Sequence, residues 1–140
     1  MLAVTVQNGH TATVVVLVKE CGANVNASNK NGFAALVSAA QNGHTATVLA
    51  LAQDCWADMN VANENSFTAL MIAAQFGHTT TVVALAQQCD VNAAKRDGLT
   101  ALVSTTLNGH TATVVLLAQE CGADVNAANE DEWTALMLAA

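Results

Sequence analysis

Asn42-Gly43-His44-Thr45-Ala46-Thr47-Val48 decides how this chain is read, because the chain repeats it. The same letters stand at Asn8 to Val14 and at Asn108 to Val114. A variant, Phe76-Gly77-His78-Thr79-Thr80-Thr81-Val82, fills the remaining slot. His10, His44, His78 and His110 are therefore 34, 34 and 32 residues apart. Self-similarity at a period of roughly 20–50 residues marks a solenoid or array rather than a single folded globule. Other features keep the same beat. One cysteine falls in each unit, at Cys21, Cys55, Cys89 and Cys121. An Asn-rich polar patch follows, and then an Ala-Leu pair at Ala35, Ala69, Ala101 and Ala135 opens an apolar segment.

Within a unit, Ala69 to Gln75 reads as a short helix with Thr68 as its N-cap, since a threonine hydroxyl takes up a free N–H of the first turn. Thr100 and Thr134 repeat that cap, whereas Ala34 forfeits it. Gly43, Gly77 and Gly109 then stop the helix, because glycine adopts the left-handed conformation beyond a helix end cheaply. A second helix follows, with Thr45, Thr79 and Thr111 as expected caps. Val48, Leu49, Leu51 and Ala52 carry its buried stripe. Gly22 and Gly122 end this second helix. Trp56 stands at the matching place, where positive φ is disfavoured for a bulky residue, so a changed turn with a partly exposed Trp56 is expected. The third unit is two residues shorter, and a tighter turn is expected between Gln88 and Asn92. The Asn-rich stretches read as extended loops or short β-hairpins.

Composition narrows the function classes. The chain is 53% hydrophobic and 11% charged, enough apolar material for units that bury their faces on one another. Its longest apolar runs, such as Ala69 to Ala74, fall far short of the roughly 20 residues of a membrane span. The first residues lack the basic n-region of a signal peptide. Four basic residues against eleven acidic ones argue against nucleic-acid binding, which rests on Lys and Arg neutralising phosphates. Equivalent cysteines on stacked helices lie roughly 8–10 Å apart, beyond the ~7 Å reach of a disulfide. Free thiols suit a reducing compartment, so a cytoplasmic location is expected.

No catalytic, cofactor or metal site emerges. His44 and Cys55 are eleven residues apart, as are the other three His–Cys pairs. Eleven helical residues span about 16 Å, whereas zinc ligands must all lie within about 2.0–2.3 Å of the ion. The histidines read instead as hydrogen-bonding ties between successive turns. Glu130-Asp131-Glu132 reads as a solvated acidic loop tip.

A helix, a tight Gly-His turn, a second helix and a projecting loop ending in Asn, at a period of about 33 residues, resemble the ankyrin repeat. The residues that carry the resemblance are Asn42-Gly43-His44, Gly122-Ala123-Asp124-Val125-Asn126-Ala127 and Asp97-Gly98-Leu99-Thr100-Ala101-Leu102. It covers essentially the whole chain. The family's usual Thr-Pro-Leu-His is replaced by Thr68-Ala69-Leu70-Met71 or Thr100-Ala101-Leu102-Val103, and proline is absent throughout. The missing histidine removes a polar tie between units. The resemblance implies an all-α helix-turn-helix solenoid. Its expected organisation is one array: a partial repeat 1–32, units 33–66, 67–98 and 99–132, and a partial terminal repeat 133–140.

It also implies that loop-tip and first-helix positions face a concave groove and touch partners. Here those positions are Lys30, Phe33, Glu64, Phe67, Arg96, Leu99, Glu130 and Trp133: an apolar ladder ringed by variable charge. Two readings of the ladder stand, as a partner surface and as rings that pack on adjacent loops. The ends suggest an alternative function. Solenoid ends normally carry a polar outer face, yet Leu2, Val4 and Val6 open the chain inside one first helix. Met137, Leu138 and Ala140 close it inside another. Either the chain is a piece of a longer array, or copies stack head to tail into a filament. The six residues Ala135 to Ala140 duplicate the register of Met1 to Val6 and would have to be accommodated at such a joint. The expected function is thus a non-enzymatic protein-interaction module binding a protein partner, with a self-assembling structural protein as the alternative.

Overall fold

A computed structural model describes residues 9–140. Eight helices are described: α1 (Thr11–Lys19), α2 (Ala35–Gln41), α3 (Thr45–Gln53), α4 (Ala69–Gln75), α5 (Thr79–Ala86), α6 (Ala101–Leu107), α7 (Thr111–Gln119) and α8 (Ala135–Ala139). They form two rows. The first helices of the units, α2, α4, α6 and α8, pack side by side, and so do the second helices, α1, α3, α5 and α7. Each first helix also packs on the second helix that follows it, so the principal contacts all join neighbours. That is the solenoid expected from the repeat.

The first helices are buried almost all round. Six of the seven residues of α2 and of α4 are inaccessible. Their composition explains how: Ala39, Ala40, Ala73 and Ala74 let neighbouring backbones approach closely, while Leu36, Leu70 and Met71 fill the remaining space. The second helices bury one stripe only. Leu51, Leu85 and Leu117 are fully buried, each contributing about 1.5–3 kcal/mol of apolar burial.

The repeated phrase builds the turn between the two helices. After α2, His44 N–H donates to the Ala39 carbonyl at 2.9 Å and Gly43 N–H to the Ala40 carbonyl at 3.2 Å. This satisfies the last carbonyls of the helix, with Gly43 at φ +68°. Gly43 is needed for space as well. A Cβ there would lie 2.7 Å from His78 Nδ1, because the next histidine ring packs against it. That ring is fixed by Nε2–H donating to the Gln41 carbonyl at 2.9 Å, and His110 does the same to the Gln75 carbonyl. His78 and His110 are thus the inter-turn ties expected of them.

Two expectations about the second helices need correction. Thr45, Thr79 and Thr111 are not caps: His44, His78 and His110 hold the N-cap positions, with no side-chain cap bond. The hydroxyls of Thr45 and Thr79, and of Thr11 before them, reach across to the next unit instead. Thr11 pairs with Thr47 (2.6 Å), Thr45 with Thr81 (2.8 Å) and Thr79 with Thr113 (2.8 Å). Thr47, Thr81 and Thr113 are each 1% exposed, so every pair satisfies a buried hydroxyl at a unit boundary.

The turn at Trp56 is also unchanged. Trp56 takes φ +57°, beside +72° and +74° for Gly22 and Gly122. Its neighbours keep the same bonds, from Cys55 N–H to Ala50 and from Ala57 N–H to Leu51. The packing of the helix end overrides the local preference, and the side chain is left 83% exposed. The shorter unit does turn differently: α5 ends at Ala86, and the Gln88 and Cys89 amides both return to the Leu85 carbonyl.

The projecting loops carry isolated β-bridges, among them Ala62 with Thr68 and Ala94 with Thr100. Three of the described loops are pinned by an asparagine whose Oδ1 accepts two backbone amides. Asn29 takes those of Asn31 and Phe33, Asn63 those of Asn65 and Phe67, and Asn129 those of Asp131 and Trp133. The third unit has Lys95 at this position, which cannot accept. Asp97 Oδ1 takes the Leu99 amide at 3.1 Å in its place.

Candidate functional site

The first helices and the loops before them form one face, and the ladder residues lie along it. Phe33, Phe67 and Leu99 are half-buried and rest on the core; Trp133 is 48% exposed. Lys30, Glu64, Arg96 and Glu130 are exposed on the loop tips. Phe33, Phe67, Leu99 and Glu130 line two clefts of the same plan.

The first cleft, about 230 Å³, lies between Phe33 and Phe67 and is lined also by Gln41, Ile72, Gln75 and Phe76. Its rim is neutral: Asn63 and Asn65. The second, about 270 Å³, has Leu99, Val103, Leu107 and Leu138 as its floor. Its rim is Asn129 with three acids, Asp97, Glu130 and Asp131. The positions correspond: Phe33 to Leu99, Gln41 to Leu107, Asn65 to Asp131 and Ile72 to Leu138.

Between the two clefts stands Lys95. Its Nζ lies 3.9 Å from the centre of the Phe67 ring and 3.5 Å from Asp97 Oδ2. The lysine that cannot serve as a turn acceptor thus lies over the neighbouring aromatic face, an attraction of about 0.5–1 kcal/mol or more. The Leu99 amide donating to Asp97, with the Lys95 ammonium beside it, holds that carboxyl below its usual range. Arg96 and Glu64 both line a third cleft between adjacent loop tips. Lys30 and Trp133 line neither of the two main clefts.

Several residues of this face were missed from sequence: Lys95, Phe76, Val103 and Leu107. A signal existed for two of them. Leu107 stands where Gln41 and Gln75 stand, and Phe76 where Asn42 and Asn108 stand. Both are apolar departures from a polar letter, and both are about half exposed, at 53% and 51%. Phe76 also stacks on His78, with ring centres 6.2 Å apart.

The end candidates divide. Leu2, Val4 and Val6 lie outside the described residues. Met137 and Ala140 are exposed. Leu138 turns into the second cleft rather than onto the free end. The residue that does stand on the end is Leu136, 78% exposed, whereas its counterparts Leu36, Leu70 and Leu102 are 1–3% exposed. It borders a 230 Å³ apolar groove with Leu102, Val114 and Val125.

The thiols do not converge. Cys55 is buried and Cys21 exposed, and all four are unpaired. Burial, with Asp90 next to it, pushes the Cys89 thiol up to about 11. Cys55 and Cys121 are raised for the same reason, burial first and an adjacent acid second. These are the opposite of activated nucleophiles. Among the described residues no three His, Cys, Asp or Glu side chains gather to hold a metal ion, and no helix is long and apolar enough to cross a membrane.

A family model described as ankyrin repeats (3 copies) matches residues 1–95 and 70–140. The chain belongs to the ankyrin repeat family. No curated protein is a match to it. Ankyrin repeats are generally protein–protein interaction modules and typically non-enzymatic. The Schellman-type Gly turn, the histidine ties and the loop bridges described above are how this ankyrin chain builds its stack without proline or the family's first-helix histidine. At the position of that histidine it carries buried Met71 and Val103. One tie between neighbouring first helices, α4 and α6, is Ser104 Oγ donating to the Met71 carbonyl at 3.5 Å.

Proposed function

We propose that this chain is a non-enzymatic binding module that holds a protein partner on its concave loop-tip and first-helix face. The observation that carries the reading is the pair of matching clefts with apolar floors and polar rims, one at Phe33–Phe67 and one at Leu99–Leu138. Interfaces derive most of their energy from a few apolar or aromatic anchors seated in such pockets, with a polar rim excluding water. Lys30, Glu64, Arg96, Glu130 and Trp133 are the rim and flank candidates. Four basic residues against eleven acidic ones speak for a protein rather than a nucleic-acid partner. The unpaired thiols suit a reducing compartment such as the cytoplasm.

The test is a selection of displayed random peptides on the purified chain, with the winners re-measured on variants of exposed residues that leave the core intact. Phe76→Gln and Leu107→Gln, one on each cleft, should each weaken binding at unchanged helix content. Winners indifferent to both, yet displaced by changes on α3 or α5, would move the site to the other side of the molecule.

A second reading rests on Leu136. An apolar side chain buried at Leu36, Leu70 and Leu102 is exposed here beside an apolar groove. A second copy stacked end to end would cover it, and an open head-to-tail contact of this kind grows a filament. Threads of constant diameter by electron microscopy, abolished by Leu136→Lys, would establish assembly. Light scattering that shows monomer over a wide concentration range would dismiss it.

A further inference from the structure

The two clefts share a plan but not a charge. At the first the rim is Asn63 and Asn65; at the second the matching positions are Asn129 and Asp131, joined by Glu130 and Asp97. Of these acids, Asp97 is already engaged by the Leu99 amide and Lys95, whereas Glu130 and Asp131 have exposed side chains. Two cations stand between the clefts: Lys95 lies over Phe67, on the side of the first cleft, and Arg96 lines the loop-tip cleft that also holds Glu64. The face is therefore polarised along the array: neutral, then cationic, then acidic over an apolar floor of Leu99, Val103, Leu107 and Leu138.

Resting on the concave-face reading above, we infer that the second cleft takes an apolar side chain flanked by arginine or lysine, from an extended segment of the partner whose other apolar anchor fills the first cleft. Charge complementarity fixes the direction of that segment. Its basic flank lies over Glu130 and Asp131, and its uncharged part passes Lys95 toward Phe33. Spacing fixes its length. The clefts are two units apart, roughly 16–20 Å at 8–10 Å per packed helix, which about five or six extended residues span. The residues lining the Phe33 cleft include no acid, and the nearest one on the loop tips, Glu64, lines the adjoining cleft with Arg96 instead.

The experiment measures fluorescence anisotropy of a labelled peptide of about 12 residues on the whole chain, with two leucines about six positions apart and two arginines beside the second. Its isomer has glutamates in place of the arginines. The arginine peptide should bind about 10-fold more tightly, and Glu130→Gln/Asp131→Asn should remove about 5-fold of that preference, in line with modest exposed charge pairs. Glu20→Gln/Glu120→Gln changes the net charge equally at the ends of α1 and α7, and should change nothing. Equal losses from both double variants would reduce the effect to overall charge and overturn the inference. So would equal affinity for the two peptides, or no saturable binding of the arginine peptide. Leu107→Gln separates the layers. If it weakens both peptides while the acid substitutions weaken neither, the binding face stands and its basic partner does not. If it weakens neither, the face itself is wrong.

Discussion

Ala34→Thr should stabilise the array, and the reason lies in four matching backbones. Thr68, Thr100 and Thr134 each precede a first helix, and each hydroxyl accepts the amide three residues on, from Met71, Val103 and Met137 at 3.3–3.4 Å. Ala34 precedes α2 with nearly the same dihedrals, φ −81° and ψ 167° against −78° and 164° at Thr68, and offers nothing to the Val37 amide. No backbone adjustment is needed to receive a threonine. Thr100 is 5% exposed and well accommodated, so burial at this place does not exclude the larger side chain. Restoring a missing N-cap contributes about 1 kcal/mol. For a chain of this length that is a rise of about 3–5 °C in Tm. Chemical denaturation should show the midpoint moving up with an unchanged slope. Thr100→Ala serves as the control and should lose a similar amount. A Tm that stays put or falls in Ala34→Thr, while Thr100→Ala behaves as expected, would refute the equivalence of the four helix starts.

Trp56→Gly should gain about 1 kcal/mol, because the left-handed backbone costs an L-residue roughly that much and the exposed indole gives back little burial; unfolding curves that match wild type would contradict it. Thr79→Val should lose about 1 kcal/mol by orphaning the buried Thr113 hydroxyl, and Thr79→Val/Thr113→Val should recover most of it, since removing both partners is nearly neutral. A double variant no more stable than the single one would mean that the pair carries no coupling. The Cys89 thiol, pushed up to about 11 in the fold, ionises more readily in the unfolded chain. Its contribution is therefore complete below pH ~8.5, the ordinary thiol value, and fades as the pH climbs toward 11. Cys89→Ala should flatten the alkaline decline in stability, measured by denaturation at stepped pH.

The architecture was legible because it is written several times over. The Gly-His phrase, the Ala-Leu pair and the Thr cap recur in phase, and repetition turns weak local signals into a strong one. What escaped was decided by neighbours. Thr45 and Thr79 sit at a helix start and look like caps; only the adjacent unit reveals that their hydroxyls face Thr81 and Thr113. Trp56 obeys a turn imposed by the helix end beneath it. On the binding face, the Phe33, Phe67 and Leu99 ladder stood out as a column of apolar letters. Lys95 did not, because its role follows from losing the Asn acceptor and lying over the ring that opens the same unit. Leu136 was invisible for a related reason: its letter is the same as at Leu36, Leu70 and Leu102, and only its surroundings differ.

Site-specific photo-crosslinking tests the central claim most directly. A photoreactive residue placed at Leu107 on α6, or in a second variant at Val115 on α7, probes the two sides of one unit at similar exposure, 53% and 44%. With a peptide recovered by selection on the whole chain, crosslinks should form from position 107 and not from 115. Capture from position 115 alone would place the partner on the second helices and contradict the account.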